Sequence, residues 1–139
     1  MSKYNHLLTN YPDFPAPGVL FRDMSPLLFD VPERNEILEA FRGFMDEKNI
    51  DTIAGVDARG FILGGMLAEK YQLPFVMIRK DGKLPDTLVA KESFDYEYSS
   101  ATLAIRKDIL EGHRVLVIDD VRATGGTLVA SLKLAKDDG

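Results

Sequence analysis

Residues 115–127 read Val-Leu-Val-Ile-Asp-Asp-Val-Arg-Ala-Thr-Gly-Gly-Thr. Asp119 and Asp120 emerge from a four-residue apolar run just before a turn of small residues, Ala123, Thr124, Gly125, Gly126 and Thr127. Paired carboxylates in that place can accept hydrogen bonds from the two hydroxyls of a ribose, and their charge favours a cation developing on the sugar. The turn can wrap backbone N–H groups around a phosphate. Its glycines admit close approach, and a helix beginning after it aims its positive dipole end at the anion. An isolated Asp-Asp pair is more often a pair of turn acids beside a helix. Here the apolar run before it and the Thr-Gly-Gly-Thr turn after it favour the sugar-phosphate reading.

Such a site needs a sheet to carry it. Residues 115–118 suit a parallel strand covered on both faces, and the carboxyl end of such a strand is where open α/β sheets hold ligands. Residues 128–136 read as the helix that follows. Upstream, 52–56 and 74–78 read as buried strands with a helix at 61–71 between them, a unit whose default is the right-handed parallel crossover. Pro32 opens a further helix, in which Ile37, Leu38, Phe41, Phe44 and Met45 make one apolar stripe expected to cover a sheet face. Pro12, Pro15 and Pro17 make 11–18 an extended, irregular arm. Between 79 and 112 the polar chain reads as a hairpin or lid, with 87–90 pairing antiparallel with 102–106 and Ser99 and Ser100 near the turn. The expected fold class is α/β: a mostly parallel central sheet with helices on both faces and an antiparallel lid hairpin.

Composition narrows the chemistry. With 139 residues, 45% hydrophobic and 28% charged, the chain is expected to form one soluble domain spanning 1–139. A formal charge of -5 argues against non-specific nucleic-acid binding, although a local basic patch can still hold a small polyanion. Nothing approaches a membrane span, and no secretory signal is visible, so the cytoplasm is the default location. There is no cysteine, which excludes disulfides and thiolate catalysis, and two histidines leave little for a metal site built by the protein alone. Gly55 and Gly60 have the spacing of a Walker A loop, but Phe61 and Ile62 stand where lysine and a hydroxyl are needed, so that match reads as accidental. Neither a dinucleotide fingerprint nor a nucleophile elbow occurs.

Four segments together resemble the type I phosphoribosyltransferases, in that family's order and from about Tyr11 to the end. Residues 14–28, Phe followed by PAPGVLFRDMSPLL, resemble its purine-side arm. Gly55-Val56-Asp57-Ala58-Arg59-Gly60-Phe61 resembles its pyrophosphate loop, Arg79-Lys80-Asp81-Gly82-Lys83-Leu84-Pro85 its mobile loop, and 115–127 its sugar-phosphate motif. The last motif alone marks the superfamily. The arm and the Arg-Lys-x-Gly-Lys-Leu-Pro segment point to the members that act on adenine rather than on orotate or hypoxanthine.

The resemblance implies transfer of a phosphoribosyl group from phosphoribosyl diphosphate to adenine, forming AMP and pyrophosphate, with Mg2+ carried on the diphosphate. It implies that Asp119, Asp120, Ala123, Thr124, Gly125, Gly126 and Thr127 hold the ribose and its 5-phosphate. Pyrophosphate falls to Asp57, Ala58, Arg59, Arg79, Lys80 and Lys83; an arginine can grip it in a bidentate fork. The base falls to the Leu20 backbone, Phe21, Arg22, Val121 and Tyr98. Glu97 faces N7 of the purine as general acid for the reverse reaction, help worth roughly 10²–10⁴ in rate, and Asp95 is its nearest competitor. Arg59 is counted with Glu97 as catalytic. In that family the mobile-loop arginine and lysine can reach a neighbouring subunit, which implies a homodimer. Residues 1–24 become the purine-side arm and 79–106 a mobile lid that excludes water.

Competing readings stand beside these. Leu20 and Phe21 serve equally well as core residues, Arg79, Lys80 and Lys83 as a solvated charge run, and His6 and His113 as surface or capping residues. Asp57 replaces the glutamate more usual before Ala-Arg-Gly, and Arg122 stands where an aliphatic residue is common. The family pattern continues into a further strand and helix beyond residue 139, so the chain is expected to be a shortened form. The alternatives to an active adenine enzyme are a regulator that senses phosphoribosyl diphosphate, an inactive truncated homologue, or a transferase for another base such as xanthine. The acidic balance and the lack of room for a DNA-reading domain count against the regulator.

Overall fold

A computed structural model describes residues 5–95, 100–119 and residue 136, and the chain divides into two compact units, 1–42 and 43–139. In the first, a 3-10 turn at Asn5–Leu7 leads to β1 (Thr9–Tyr11), which pairs antiparallel with β2 (Phe21–Asp23) in the register Tyr11↔Phe21. Of the segment 11–18 expected to be extended and irregular, only Tyr11 is paired, and 12–18 belongs to the connection between the two strands. Three residues on each side are too few to declare a two-residue alternation. The prolines sit in the turn, where Phe14 N–H donates to the Val19 carbonyl at 3.1 Å and Gly18 N–H to the Asp13 carboxylate at 2.7 Å.

Helix α1 (Ser25–Phe29) follows, with Asp23 accepting from both the backbone N–H and the hydroxyl of Ser25. Those two bonds hold the Asp23 carboxyl below its usual range. Helix α2 (Val31–Lys48) starts as Asp30 accepts the Glu33 N–H at 3.0 Å. This is a side-chain cap for a donor that the first turn otherwise leaves without a partner. Pro32 lies in that same turn, where a missing N–H loses nothing. Leu38 and Met45 are buried but Phe44 is exposed, so the stripe is narrower than its spacing predicts. The division between the two units falls within α2.

The second unit is organised on β3 (Thr52–Val56), buried at every position, as a strand covered on both faces must be. Then come α3 (Gly60–Tyr71), β4 (Phe75–Lys80), a 3-10 turn at Asp86–Leu88, β5 (Val89–Asp95), β6 (Ser100–Arg106) and β7 (Val115–Ile118). The sheet order is β5-β6-β4-β3-β7. β3 is parallel to both β4 and β7, whereas β6 runs antiparallel to β4 through Arg79↔Ala104 and Lys80↔Leu103. The hairpin thus continues the main sheet and makes it mixed. Its first strand starts at Val89, later than the expected residue 87, because residues 86–88 are wound as a 3-10 turn; Ser100 opens β6, next to the β5–β6 connection, and Ser99 lies outside the described residues. β4 runs two residues past the expected end, because Arg79 and Lys80 are paired to β6.

Ala54, Val56, Val76, Ile78, Leu103, Ile105 and Leu110 form one buried cluster across this sheet. α3 packs on β3 through a small-residue contact. A Cβ at Gly64 would lie 2.8 Å from the Phe75 ring and 3.5 Å from the Gly55 Cα. At the amino end of β3, Asp51 accepts from the Arg114 N–H at 3.2 Å and lies 3.0 Å from Nδ1 of His113, which also meets the Thr52 hydroxyl at 3.0 Å. His113 is a fastening there, in keeping with a capping role. No helix among the described residues is long and apolar enough to cross a membrane. The helix expected over 128–136 lies outside the described residues except for Lys136, which is helical.

Candidate active site

The chain leaves β3 on one side to build its neighbour β4 and returns on the other side as β7. A sheet whose strand order reverses in this way opens a crevice beyond the carboxyl ends of the two strands at the reversal, and ligands bind there. In this protein the crevice lies beyond Val56 of β3 and Ile118 of β7, strands held in register by Gly55↔Ile118. Asp57, Ala58 and Arg59 follow β3, and Asp119 follows β7. Arg79 and Lys80 end the adjacent strand β4. One sheet edge therefore gathers six of the residues expected to handle a phosphorylated sugar and its diphosphate.

The two loops approach closely because glycine permits it. A Cβ at Gly60 would collide with the carbonyl oxygen of Ile118 and lie 3.4 Å from the Asp119 Cα. One at Gly55 would lie 2.7 Å from the Gly60 carbonyl oxygen and 2.8 Å from Phe75. The Gly55 and Gly60 spacing, read above as accidental, thus has a packing cause unrelated to a Walker loop. Gly55 lets the β3–α3 connection fold back on its own strand, and Gly60 lets it touch β7. The connection tightens at once into helix, with Phe61 N–H donating to the Ala58 carbonyl and Ile62 N–H to that of Arg59, both at 3.1 Å. The Asp57–Ala58 peptide is cis, and Ala58 and Arg59 are exposed at the crevice edge.

Asp57 is tied inward. Its N–H donates to the Ile78 carbonyl at 2.9 Å, and its carboxylate lies 3.4 Å from Nε of Arg79 and 3.5 Å from the Lys80 N–H. These last contacts are at the long limit for hydrogen bonds, so they steer Arg79 without locking it. The Arg79 guanidinium also stands 5.8 Å over the ring of Phe61, which in turn meets Phe75 edge-on at 6.3 Å. Cation–π contact of this kind lets an arginine keep its charge against an apolar wall. Neither the ring beneath Arg79 nor the carboxylate beside it was legible as a partner in the sequence. Phe61 reads there as the first residue of a helix and the last of the pyrophosphate-loop segment.

Lys83 lies beyond β4, in a turn where its N–H donates to the Lys80 carbonyl at 3.3 Å and Gly82 takes φ +77°. Arg59, Arg79, Lys80 and Lys83 make this edge cationic in a chain of net charge -5. A polyanion is drawn to such a place. Among the described residues there is no group of three or more histidines or carboxylates that could hold a metal ion. A magnesium ion carried on a diphosphate takes most of its ligands from phosphate oxygens and water, so the donors at this edge fit a substrate-borne ion.

Glu97, Tyr98, Asp120, Val121, Ala123, Thr124, Gly125, Gly126 and Thr127 lie outside the described residues, as does Arg122. Leu20, Phe21 and Arg22 belong to the first unit. There Phe21 is half-buried, 5.3 Å edge-on to Phe14 and 6.4 Å from Tyr11, while Leu20 and Arg22 are exposed.

The family described as phosphoribosyl transferase domain matches residues 35–139. The chain is 47% identical over 133 residues to the adenine phosphoribosyltransferase of Nitrosopumilus maritimus, covering 95% of this chain and 78% of that protein. Against the enzyme of that name from Cupriavidus metallidurans it is 49% identical over 124 residues, or 88% of this chain and 65% of the relative. The fold superposes on the Saccharomyces cerevisiae adenine phosphoribosyltransferase, crystallised with an imino-altritol bisphosphate and adenine, with a TM-score of 0.88 at 34% identity, covering 97% of this chain and 79% of that one.

Proposed function

The chain belongs to the phosphoribosyl transferase family, and we propose that it transfers the 5-phosphoribosyl group of phosphoribosyl diphosphate to adenine, releasing pyrophosphate and forming AMP. One observation carries this reading: the close approach of the Gly60 backbone to the end of β7, which sets Asp119 beside the Asp57–Arg59 loop. A sugar bound at Asp119 then has its anomeric carbon toward the cationic edge. The bond from that carbon to the diphosphate oxygen breaks, the bond to N9 of adenine forms, and the base gives up its N7 proton to the Glu97 carboxylate, the reverse of the acid role assigned to that residue above.

As the diphosphate departs, the ribosyl carbon gains positive charge. Asp119, and Asp120 by the family resemblance, bind the ribose hydroxyls and stabilise that charge. Arg59, Arg79, Lys80 and Lys83 take the charge of the leaving group. Arg79 can do so by rotating off the long contact with Asp57 while it remains over Phe61. Asp57 is thus a steering group for Arg79. The 5-phosphate is assigned to the turn at 123–127, and the base to Leu20, Phe21, Arg22, Val121 and Tyr98 with Glu97 at N7, all on the resemblance set out above. Magnesium, when bound, neutralises the leaving diphosphate, and Asp119 is the carboxylate we assign to hold it. A homodimer is part of the proposal on the same resemblance, and the cytoplasm is the proposed location.

The test is an incubation of the chain with phosphoribosyl diphosphate, magnesium and one base at a time, with nucleotide followed by chromatography. AMP from adenine, with far less product from hypoxanthine, guanine, xanthine or orotate, is expected. Binding of phosphoribosyl diphosphate without turnover of any base overturns the proposal.

A further inference from the structure

Residues 79–91 carry Arg79, Lys80, Lys83 and Lys91 against Asp81 and Asp86. Three of these cations are assigned above to the departing diphosphate. The fourth lies on β5, and its ammonium contacts the carboxylate of Asp81 at 2.6 Å and that of Asp86 at 2.5 Å. Asp81 opens the connection between β4 and β5, and Asp86 begins the 3-10 turn that closes it, so the two bracket the loop 81–86. One side chain therefore holds both ends of the segment that presents Lys83.

We propose that Lys91 is a positioning residue for phosphoribosyl transfer, clasping loop 81–86 against β5 and cancelling the two carboxylates that would otherwise oppose a diphosphate. The inference rests on the function proposed above. The geometry supports it in two ways. First, the clasp adds to a loop already shaped by its backbone: Asp81 N–H donates to the Thr102 carbonyl at 3.0 Å, and the Asp81 carboxylate also accepts the Gly82 N–H at 2.9 Å. The bond from Lys91 and then that from Gly82 hold the Asp81 carboxyl below its usual range, while Asp81 and Asp86 hold the Lys91 ammonium above its own. Second, Asp81 lies between Lys80 and Lys83 in the chain. An uncompensated carboxylate there would repel the substrate those lysines are to attract. Lys91 has a third N–H donor and partial solvent access, so the clasp can open and close, as a substrate-covering loop requires.

The experiment compares wild type, Lys91→Met and Lys91→Arg by hydrogen exchange of the 81–90 segment and by steady-state kinetics. Thermal melting checks that each variant is folded. Lys91→Met should exchange about fivefold faster in this segment and raise KM for phosphoribosyl diphosphate about two- to fivefold, with kcat nearly unchanged, the scale expected for exposed ion pairs. Lys91→Arg should restore both. Exchange in Lys91→Met equal to wild type overturns the clasp. Faster exchange with an unaltered KM overturns its positioning role. Wild type inert toward adenine would instead refute the proposed function, while the exchange result would still decide whether the clasp exists.

Discussion

A methyl group added at Gly60 would enter the contact between the β3–α3 connection and the end of β7, where the Ile118 carbonyl oxygen occupies the space a Cβ needs and the Asp119 Cα lies 3.4 Å away. Carbon–oxygen contacts settle near ~3.3–3.6 Å, so relief requires the two segments to separate by on the order of 1 Å. Backbone carries both sides of the collision, and no side-chain rotation removes it. Overpacking of this kind costs about 1–3 kcal/mol of stability. Catalytically, a misplacement of ~1 Å between reacting groups can cost ~10²-fold. Gly60→Ala is therefore expected to melt several degrees lower and to lose ten- to a hundredfold, roughly, in kcat/KM for AMP formation. Gly65→Ala is the control in the same helix, since a Cβ there meets nothing within 4 Å. It should gain up to about 1 kcal/mol from helix propensity and keep full activity. If Gly60→Ala retains wild-type activity and melting temperature, the close approach does not position Asp119. If Gly65→Ala loses as much as Gly60→Ala, the effect belongs to the helix and not to the contact.

Three further outcomes are expected. Asp57→Asn keeps the shape beside Arg79 but removes the charge that steers it, so KM for phosphoribosyl diphosphate should rise about fivefold with a smaller change in kcat; an unchanged KM in initial-rate kinetics would contradict the steering role. Burial opposes ionisation of Asp51, but the bonds from Thr52, His113 and Arg114 prevail and hold its carboxyl below the usual range. A lowered folded pKa adds stability above the unfolded carboxylate value of about 3.9, and that stability is lost as pH falls through the folded value. Urea midpoints taken from neutral pH down into that acid range should thus decline more steeply for wild type than for Asp51→Asn, and parallel curves would count against the fastening. Chelation of magnesium should abolish AMP formation and added magnesium chloride restore it, with persistent turnover in excess chelator as the contrary result.

Much of this protein was readable from local pattern. The apolar runs at 52–56 and 115–118 are strands because β-branched, apolar composition leaves little else for such short segments; the first is buried at every position, as a strand covered on both faces must be, whereas in the second only Ile118 is buried and Val115, Leu116 and Val117 are half-buried. The helix at Gly60–Tyr71 and the carboxylate at the end of β7 were equally visible, since each depends on residues adjacent in the chain. The paired flanks β1 and β2 were not, because three-residue strands have no period to detect. The 3-10 turn before β5 is not legible, because Thr87 and Leu88 read as the start of the strand that continues through Val89 and Ala90, and the surrounding backbone decides otherwise.

Relations between distant residues needed the folded chain. Gly55 and Gly60 looked like a failed motif until β7 stood against the connection between them. Asp57 and Arg79, 22 residues apart, meet because two parallel strands end side by side, and Lys91 meets Asp81 and Asp86 because Ala104 of β6 pairs with both Arg79 of β4 and Lys91 of β5, which sets Lys91 across β6 from the start of the loop. Composition and periodicity select which element each segment becomes, since those preferences act over a few residues. The partner of each charge and the atom against each glycine follow from strand order and register, which arise from the burial of the whole sheet and have no signature at any single position.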